Sequence, residues 1–306
     1  MRISSNYFSR NLPAQMSEMK SRIAISQEQI ASGKQFLSPS DNPSASGSMI
    51  LMQQTEGKLE QYERNAQFAE SRLTLEESAL GRASNALISI REIVLRAAND
   101  TNGAEDREVM LLELTEQKKY LMSLANSVDG QGQFLFAGGA VTERPYVDVG
   151  TIDYVGDQTV QSVRIGIERD IRINTPGSSV FEYDAGGGPQ DLFATIEGLE
   201  GILAAGASGP GDAVFQASMS DTLKELDTAH KHIISVRSDS GSRLKTIDDA
   251  RQNNELVINR VKAEVADVID LDYAEAVSRM QSEITSLEAI QATYAKLQNM
   301  SLFNHI

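Results

Sequence analysis

At 306 residues the chain has room for two or three domains. It contains no cysteine and no tryptophan, which excludes disulfides and thiol chemistry, and no run of about 18 apolar residues that could span a membrane. A formal net charge of -15 without a basic stripe argues against nucleic-acid binding.

The charge is unevenly spread. Five basic residues face three acidic ones in 1–44, and two face three in 273–306, which leaves the ends near +1 and the middle near -16. Near-neutral ends can approach other copies of themselves, while an acidic middle stays solvated. Met1–Tyr7 lacks the apolar core, about 7–15 residues long, of a cleaved secretory signal. The expectation is either retention or export by a route that reads something else.

In chain order, residues 1–10 are polar and expected to be loose. Leu12, Met16, Met19, Ile23, Ser26 and Ile30 recur at helical spacing, and Gly33 ends that helix. The break Ser38–Pro43 carries two prolines, with Asn42 placed as an N-cap and Pro43 at the first helical position. The next seam is the cleanest in the chain: Leu59, Tyr62, Ala66, Ala69, Leu73, Glu76, Leu80, Ala83, Leu87, Ile90, Val94, Ala97, with only Glu76 charged. Asn99–Gly103 stops it. A shorter helix presents Met110, Leu114, Gln117, Leu121, Leu124 and Val128 on one face and closes at Asp129-Gly130.

After Gly138-Gly139 the period changes to two. Tyr146–Val155, Val160–Ile167 and Arg169–Asn174 read as short strands, with turns at Gly156-Asp157, Glu168 and Pro176-Gly177; Val180-Phe181 adds a possible fourth. Gly186–Pro189 reads as a loop, and Asp191 caps a helix through Leu203.

From about Asp212 to Leu302 there is no proline. One seam runs Leu223, Leu226, His230, Ile233, Arg237, Ser240, Leu244, Ile247, Arg251, Asn254, Ile258, Val261, Val265, Val268; a second runs Tyr273, Val277, Met280, Ile284, Leu287, Gln291, Tyr294. Alternating steps of three and four mark helices that wrap around other helices. The five-residue gap from Val268 to Tyr273 is a phase slip, read as the point where the helix changes partners. The predicted fold is mainly α: a long antiparallel coiled-coil or helical bundle built from both chain ends, with a small inserted β-rich domain at the tip. The predicted boundaries are 1–42 with 270–306, 43–138 with 190–269, and 139–189.

Catalytic constellations are missing from the sequence. The histidines are His230, His232 and His305; the first two lie two apart, on different faces of a helix, and not at the i, i+4 spacing of a helical zinc pair. Asp267, Asp270 and Asp272 lack the glycine and terminal glutamate of a calcium loop. Gly130-Gln131-Gly132 lacks the lysine of a phosphate loop. Arg237 and Arg251 read as polar seam residues that set register or face solvent where the bundle is open, with switch residues as the competing reading. The reading is a non-enzymatic chain with no catalytic residue, no cofactor and no metal. An enzyme or carbohydrate-binding module in 140–190 is the competing reading, although that span has no histidine.

Several of these blocks resemble one family. Met1-Arg2-Ile3-Ser4-Ser5, Gln29–Lys34 with Pro39–Pro43, Tyr62–Asn65, Leu73–Leu80, Phe134–Gly139 and Asp270–Ala276 are similar to blocks of the bacterial flagellin superfamily. Within it, the Met-Arg-Ile-Ser opening, the ending Ser301–Ile306 and the short strand segment with Tyr154–Asp157 resemble the branch at the hook–filament junction. The ending departs from the leucine-leucine-arginine ending of filament flagellins. The resemblance implies a structural adaptor, secreted unfolded through the flagellar type III apparatus to an extracellular place in the flagellum, without membrane insertion. Its implied partners are other copies of itself in a ring, a hook-associated protein 1 of FlgK type below, flagellin above, and an FlgN-type chaperone before export. A filament flagellin with a short variable domain is the alternative. The terminal helices would assemble through Met16, Met19, Ile23, Ile30, Val277, Met280, Ile284, Leu287, Tyr294 and Leu302, with a hinge at Pro39, Pro43, Asp270 and Asp272.

Overall fold

A computed structural model describes residues 2–99, 102–205 and 212–303, with side chains for 11–99, 102–205 and 212–296. The elements run α1 (Arg2–Ser32), α2 (Pro43–Ala97), α3 (Ala104–Ala125), β1 (Tyr146–Asp148), β2 (Ile152–Tyr154), β3 (Ser162–Gly166), β4 (Arg169–Arg172), α4 (Gly177–Phe181), β5 (Glu182–Asp184), β6 (Pro189–Asp191), α5 (Leu192–Ala205), α6 (Ala213–Ile269) and α7 (Tyr273–Phe303). The chain forms two compact units, one of Met1–Lys58 with Leu256–Ile306 and one of Leu59–Glu255. Helices α2 and α6 each contribute to both.

The larger unit is built on the apolar stripe of α2. Leu59, Ala66, Ala69, Leu73, Leu80, Ala83, Leu87, Ile90, Val94 and Ala97 are all buried, as the sequence seam required. Leu114 and Leu121 of α3, Leu199 of α5 and Leu226 and Ile233 of α6 join the C-terminal half of α2, Leu80 to Ala97, in one core. Full burial of one such side chain contributes about 1.5–3 kcal/mol. Arginines bind the flanks of the α2–α6 pair. Arg251 sits 2.7 Å from both Glu63 and Glu70, and Arg237 2.6 Å from Glu77. The polar seam positions are thus register clamps between helices.

Among the described residues the two-stranded sheets are antiparallel hairpins: β1 with β2, β3 with β4, β5 with β6. Each is too short to enclose a core, since an isolated hairpin is marginal in water. Their apolar residues instead join the helices. Ile165, Ile171 and Ile173 pack with Ala66, Ala69, Leu73, Ile247 and Ala250. Tyr146, Phe181 and Phe193 form an aromatic group with ring centroids 5.0–5.6 Å apart inside the main cluster.

The structure corrects several sequence expectations. Tyr146–Val155 is a hairpin, not one strand, because Gly150 turns the chain at a φ of 112°. Val180 and Phe181 belong to the short helix α4 that follows Pro176, not to a strand. Pro189 begins β6, a strand position that tolerates the missing N–H. Helix α3 stops at Ala125, earlier than Asp129-Gly130. Asn126 leaves the helix to accept from the Tyr146 N–H and donate to its carbonyl, both at 2.9 Å. Helix α1 begins at Arg2, where a loose segment was expected. Asn42 and Asp191 cap as expected: Ala45 N–H donates to Asn42 at 3.0 Å, and Phe193 N–H to Asp191 at 2.6 Å.

The exit from the helices into the hairpins is a knot of side-chain to main-chain bonds. Asp157 accepts the N–H groups of Gly139 and Thr159, which hold its carboxyl below the usual range. The Tyr154 hydroxyl reaches the carbonyls of Phe136 and Asp157, and buried Asn174 donates to those of Gly138 and Thr159. Gly138 has a φ of 69°, and a Cβ there would lie 2.1 Å from Asp157 Oδ1. Gly138→Ala is expected to destabilise the larger unit through a left-handed backbone and a clash, each on the order of 1–3 kcal/mol. The check is the urea midpoint by circular dichroism; an unchanged midpoint would refute the knot's importance.

Candidate assembly surface of the terminal helices

The smaller unit contains the residues that sequence reasoning singled out. Helices α1 and α7 pack along each other. Ser26 Oγ of α1 donates to Glu283 of α7 at 2.9 Å, and Gly33 lies beside Tyr273, so the two helices run antiparallel. Leu12, Ser26 and Ala276 are buried. Met16, Met19, Ile23, Ile30, Met280, Ile284, Leu287 and Tyr294 are half-buried. Val277 is 47% exposed. Leu302 lies outside the residues whose side chains are described.

The inner face of α7 is shifted from the sequence seam. It runs Ala276, Met280, Glu283, Leu287, Ile290, Tyr294, a regular alternation of four and three. Ala276, Glu283 and Ile290 were missed. Ala276 is small, and Glu283 is charged but answered by Ser26. The apolar sequence seam instead included Tyr273, 54% exposed, and Gln291, exposed. The alternation of fours and threes around Ala276 was the one available signal.

A joint links these helices to the rest of the unit. Gln35 N–H donates to the Ile269 carbonyl at 2.7 Å, and Leu271 N–H to the Gly33 carbonyl at 3.0 Å. Lys34 and Asp270 thereby form a single antiparallel bridge. Gly33 has a φ of 69°, which ends α1 in the left-handed conformation that glycine adopts freely. Asp272 caps α7, accepting from Ala274 and Glu275 N–H at 2.9 and 3.1 Å. The phase slip of the sequence is therefore a break between α6 and α7. On the other strand of the joint, Asp41 accepts from Leu37 and Ser38 N–H; the Ser38 bond, first among the causes, holds its carboxyl below the usual range. Pro39 is exposed in this turn, and Pro43 is the first residue of α2. Of the four expected hinge residues, Asp270 and Asp272 have assigned bonds, and the prolines shape the backbone.

Exposed apolar side chains accompany this unit: Ile25 at 49%, Ile50 at 52%, Leu51 at 66% and Leu256 at 69%, with Tyr273 and Val277. Two helices bury only one face of each other. The remaining apolar area needs another surface to leave water.

The histidines of the larger unit are structural. His230 Nε2 lies 2.8 Å from Ser84 Oγ, and His232 Nε2 lies 3.0 Å from the Ser179 carbonyl. Among the described residues no helix is long and apolar enough to cross a membrane.

A model of the bacterial flagellin N-terminal helical region matches residues 3–140, and one of the bacterial flagellin C-terminal helical region matches 223–306. The chain is 27% identical over 290 residues to flagellar hook-associated protein 3 of Salmonella typhimurium, covering 90% of each chain. It is 24% identical over 288 residues to the protein of the same name in Escherichia coli, again over 90% of each. The fold is similar to the crystal structure of flagellar hook associated protein-3 from Legionella pneumophila, with a TM-score of 0.67, 19% identity, and coverage of 71% of this chain and 98% of that one.

Proposed function

This chain belongs to the bacterial flagellin family of structural flagellar proteins, and we propose that it is the FlgL-type adaptor between the hook-associated proteins and the flagellin filament. The observation that carries this reading is the match to hook-associated protein 3 over nine tenths of both lengths. The chemistry of the ends supports it. They are near neutral, and Ile25 of α1 and Tyr273 and Val277 of α7 stay exposed beside the α1–α7 contact. On this reading residues 1–42 and 270–306 form the assembly domain, 43–138 with 190–269 the helical bundle, and 139–189 the small exposed β-rich domain.

Copies of the chain form a ring through Met16, Met19, Ile23, Ile30, Val277, Met280, Ile284, Leu287, Tyr294 and Leu302. Pro39, Pro43, Asp270 and Asp272 set the angle between assembly domain and bundle. A hook-associated protein 1 of FlgK type lies below the ring and flagellin above. An FlgN-type chaperone holds the chain before it leaves unfolded through the flagellar type III apparatus. Surfaces that complete themselves only at the growing end suppress premature association.

The test uses purified chain, alone and with its proposed neighbours, followed by electron microscopy. Alone it is expected to give no long filaments. Added to hooks that carry hook-associated protein 1, it is expected to bind their ends and to permit flagellin growth. Long filaments from the chain alone would make it a filament flagellin with a short variable domain instead.

A further inference from the structure

The sequence holds a single Asn-Gly pair, Asn102-Gly103, between α2 and α3. Asparagine is a labile residue, and a following glycine makes it more so: without a Cβ, the glycine nitrogen closes easily on the side-chain amide carbon. The fold does not demand glycine here. Gly103 has a φ of -77° and a ψ of 177°, an extended backbone that any residue adopts. Outside its chain neighbours, a Cβ would meet nothing nearer than Asp106 Oδ2 at 3.6 Å, an ordinary contact.

Both reacting groups are nevertheless held. Asn102 is half-buried, and its Nδ2 donates to the carbonyl of Arg96, in the last turn of α2. Its main-chain N–H donates to the Asn99 carbonyl at 3.2 Å. The Gly103 N–H, whose proton the reaction must remove, donates to Asp106 Oδ2 at 2.9 Å. Asp106 lies in the first turn of α3, where the Gly103 carbonyl accepts the Arg107 N–H at 3.2 Å. The leaving group is thus tied to the end of one helix and the nucleophile to the start of the next. A carboxylate acceptor makes the second tie the stronger kind of hydrogen bond.

We propose that Asn102 is a self-modification site, reactive in the open chain and shut by the first turn of α3. In the open chain the Gly103 nitrogen loses its proton to solvent and bonds to Asn102 Cγ. The Cγ–Nδ2 bond breaks, and ammonia leaves with a proton taken back from water, closing a succinimide ring. Water then adds to one of the two ring carbonyls and reopens it. Addition at Cγ gives aspartate; addition at the main-chain carbonyl gives isoaspartate, whose backbone runs through the former side chain. In sum, one amide and one water become a carboxylate and ammonium, with no oxidant or reductant. The product has no amide N–H for the Arg96 carbonyl, so a converted chain lacks one of the bonds between α2 and α3. The converted fraction records how long the chains stood unfolded. The proposal is independent of the assembly reading, since every group in it lies within 96–107.

The experiment incubates the purified full chain at mildly alkaline pH, with and without urea. Trypsin, cutting after Arg96 and Arg107, releases the peptide 97–107, which is read by mass and by isoaspartate content. Folded wild type is expected to convert at least about tenfold more slowly than wild type in urea, the worth of one hydrogen bond to a carboxylate. Equal rates in the two would overturn the proposal, and this comparison needs no variant. Gly103→Ala in urea is expected to convert more slowly than wild type in urea; a rate indifferent to Gly103 would overturn the succinimide route. Asp106→Ala, shown to be folded by circular dichroism, is expected to convert faster than folded wild type, and a rate equal to that of folded wild type would overturn the lock.

Discussion

Leu287→Asp is expected to yield a soluble chain whose larger unit melts as in wild type, yet which joins hook ends at least tenfold less than wild type. Leu287 lies on the inner face of α7, half-buried in the monomer, three residues before Ile290 and seven before Tyr294. Burial of its side chain contributes about 1.5–3 kcal/mol, and 1.4 kcal/mol is already a factor of ten. A carboxylate in its place adds a desolvation cost at every contact in a ring. The larger unit does not feel the change, because its core is drawn from residues 59–255. The measurements are co-sedimentation with hooks and thermal melting by circular dichroism. Normal incorporation would refute the assignment of the α7 face to assembly.

The second large effect is on stability. Asp129→Ala is expected to cost about 3–5 kcal/mol, because it strands Arg72 in the interior without its counter-charge. Arg72 is 2% exposed at the side chain and Asp129 9%, so water cannot replace the lost partner. The same carboxylate also accepts Gln131 and Gln133 N–H at 2.8 and 3.0 Å, and so shapes the turn after α3. With a urea dependence of about 2 kcal/mol/M, the midpoint falls by about 2 M. Asp129→Asn keeps an acceptor and should lose less. Equal midpoints for wild type and Asp129→Ala would show that Arg72 is satisfied by the Phe134 carbonyl alone, which it reaches at 3.1 Å.

Legibility in the sequence follows the range of the interactions. The stripe of α2 was readable residue by residue, because long regular helices repeat a local pattern. So were the caps Asn42 and Asp191, whose partners lie within three residues. Asp129 was readable only as a helix terminator. Its partner is 57 residues away, and nothing local marks the pair. The same holds for Asn126, Asp157 and Asn174, polar residues that bond distant main chain and look like ordinary loop residues in a linear reading. On the candidate surface, apolar periodicity found the right helix and most of its half-buried residues. It missed Ala276 and Glu283, because an alanine and an answered carboxylate do not look apolar enough to be inside, and Ile290, because its steps set Gln291 on the seam instead. Of the hairpins, β3 with β4 was placed in outline; Gly150 splits the expected strand 146–155 into β1 and β2, and β5 with β6 was missed because Gly186–Pro189 reads as a loop.

The antiparallel pairing of chain ends also sets an order in time. Ser26 meets Glu283 across 257 residues, and Arg251 meets Glu63 across 188. Closing such loops costs entropy before any contact rewards it, so this helical protein should fold more slowly than bundles of sequential neighbours. Delivered from the N-terminal end, α2 gains α3 at once, but α1 waits for α7, which begins more than two hundred residues beyond Ser32. In a chain fed gradually into a confined space, from a ribosome or a narrow pore, the terminal pair would stay open for most of the delivery and close only near the end.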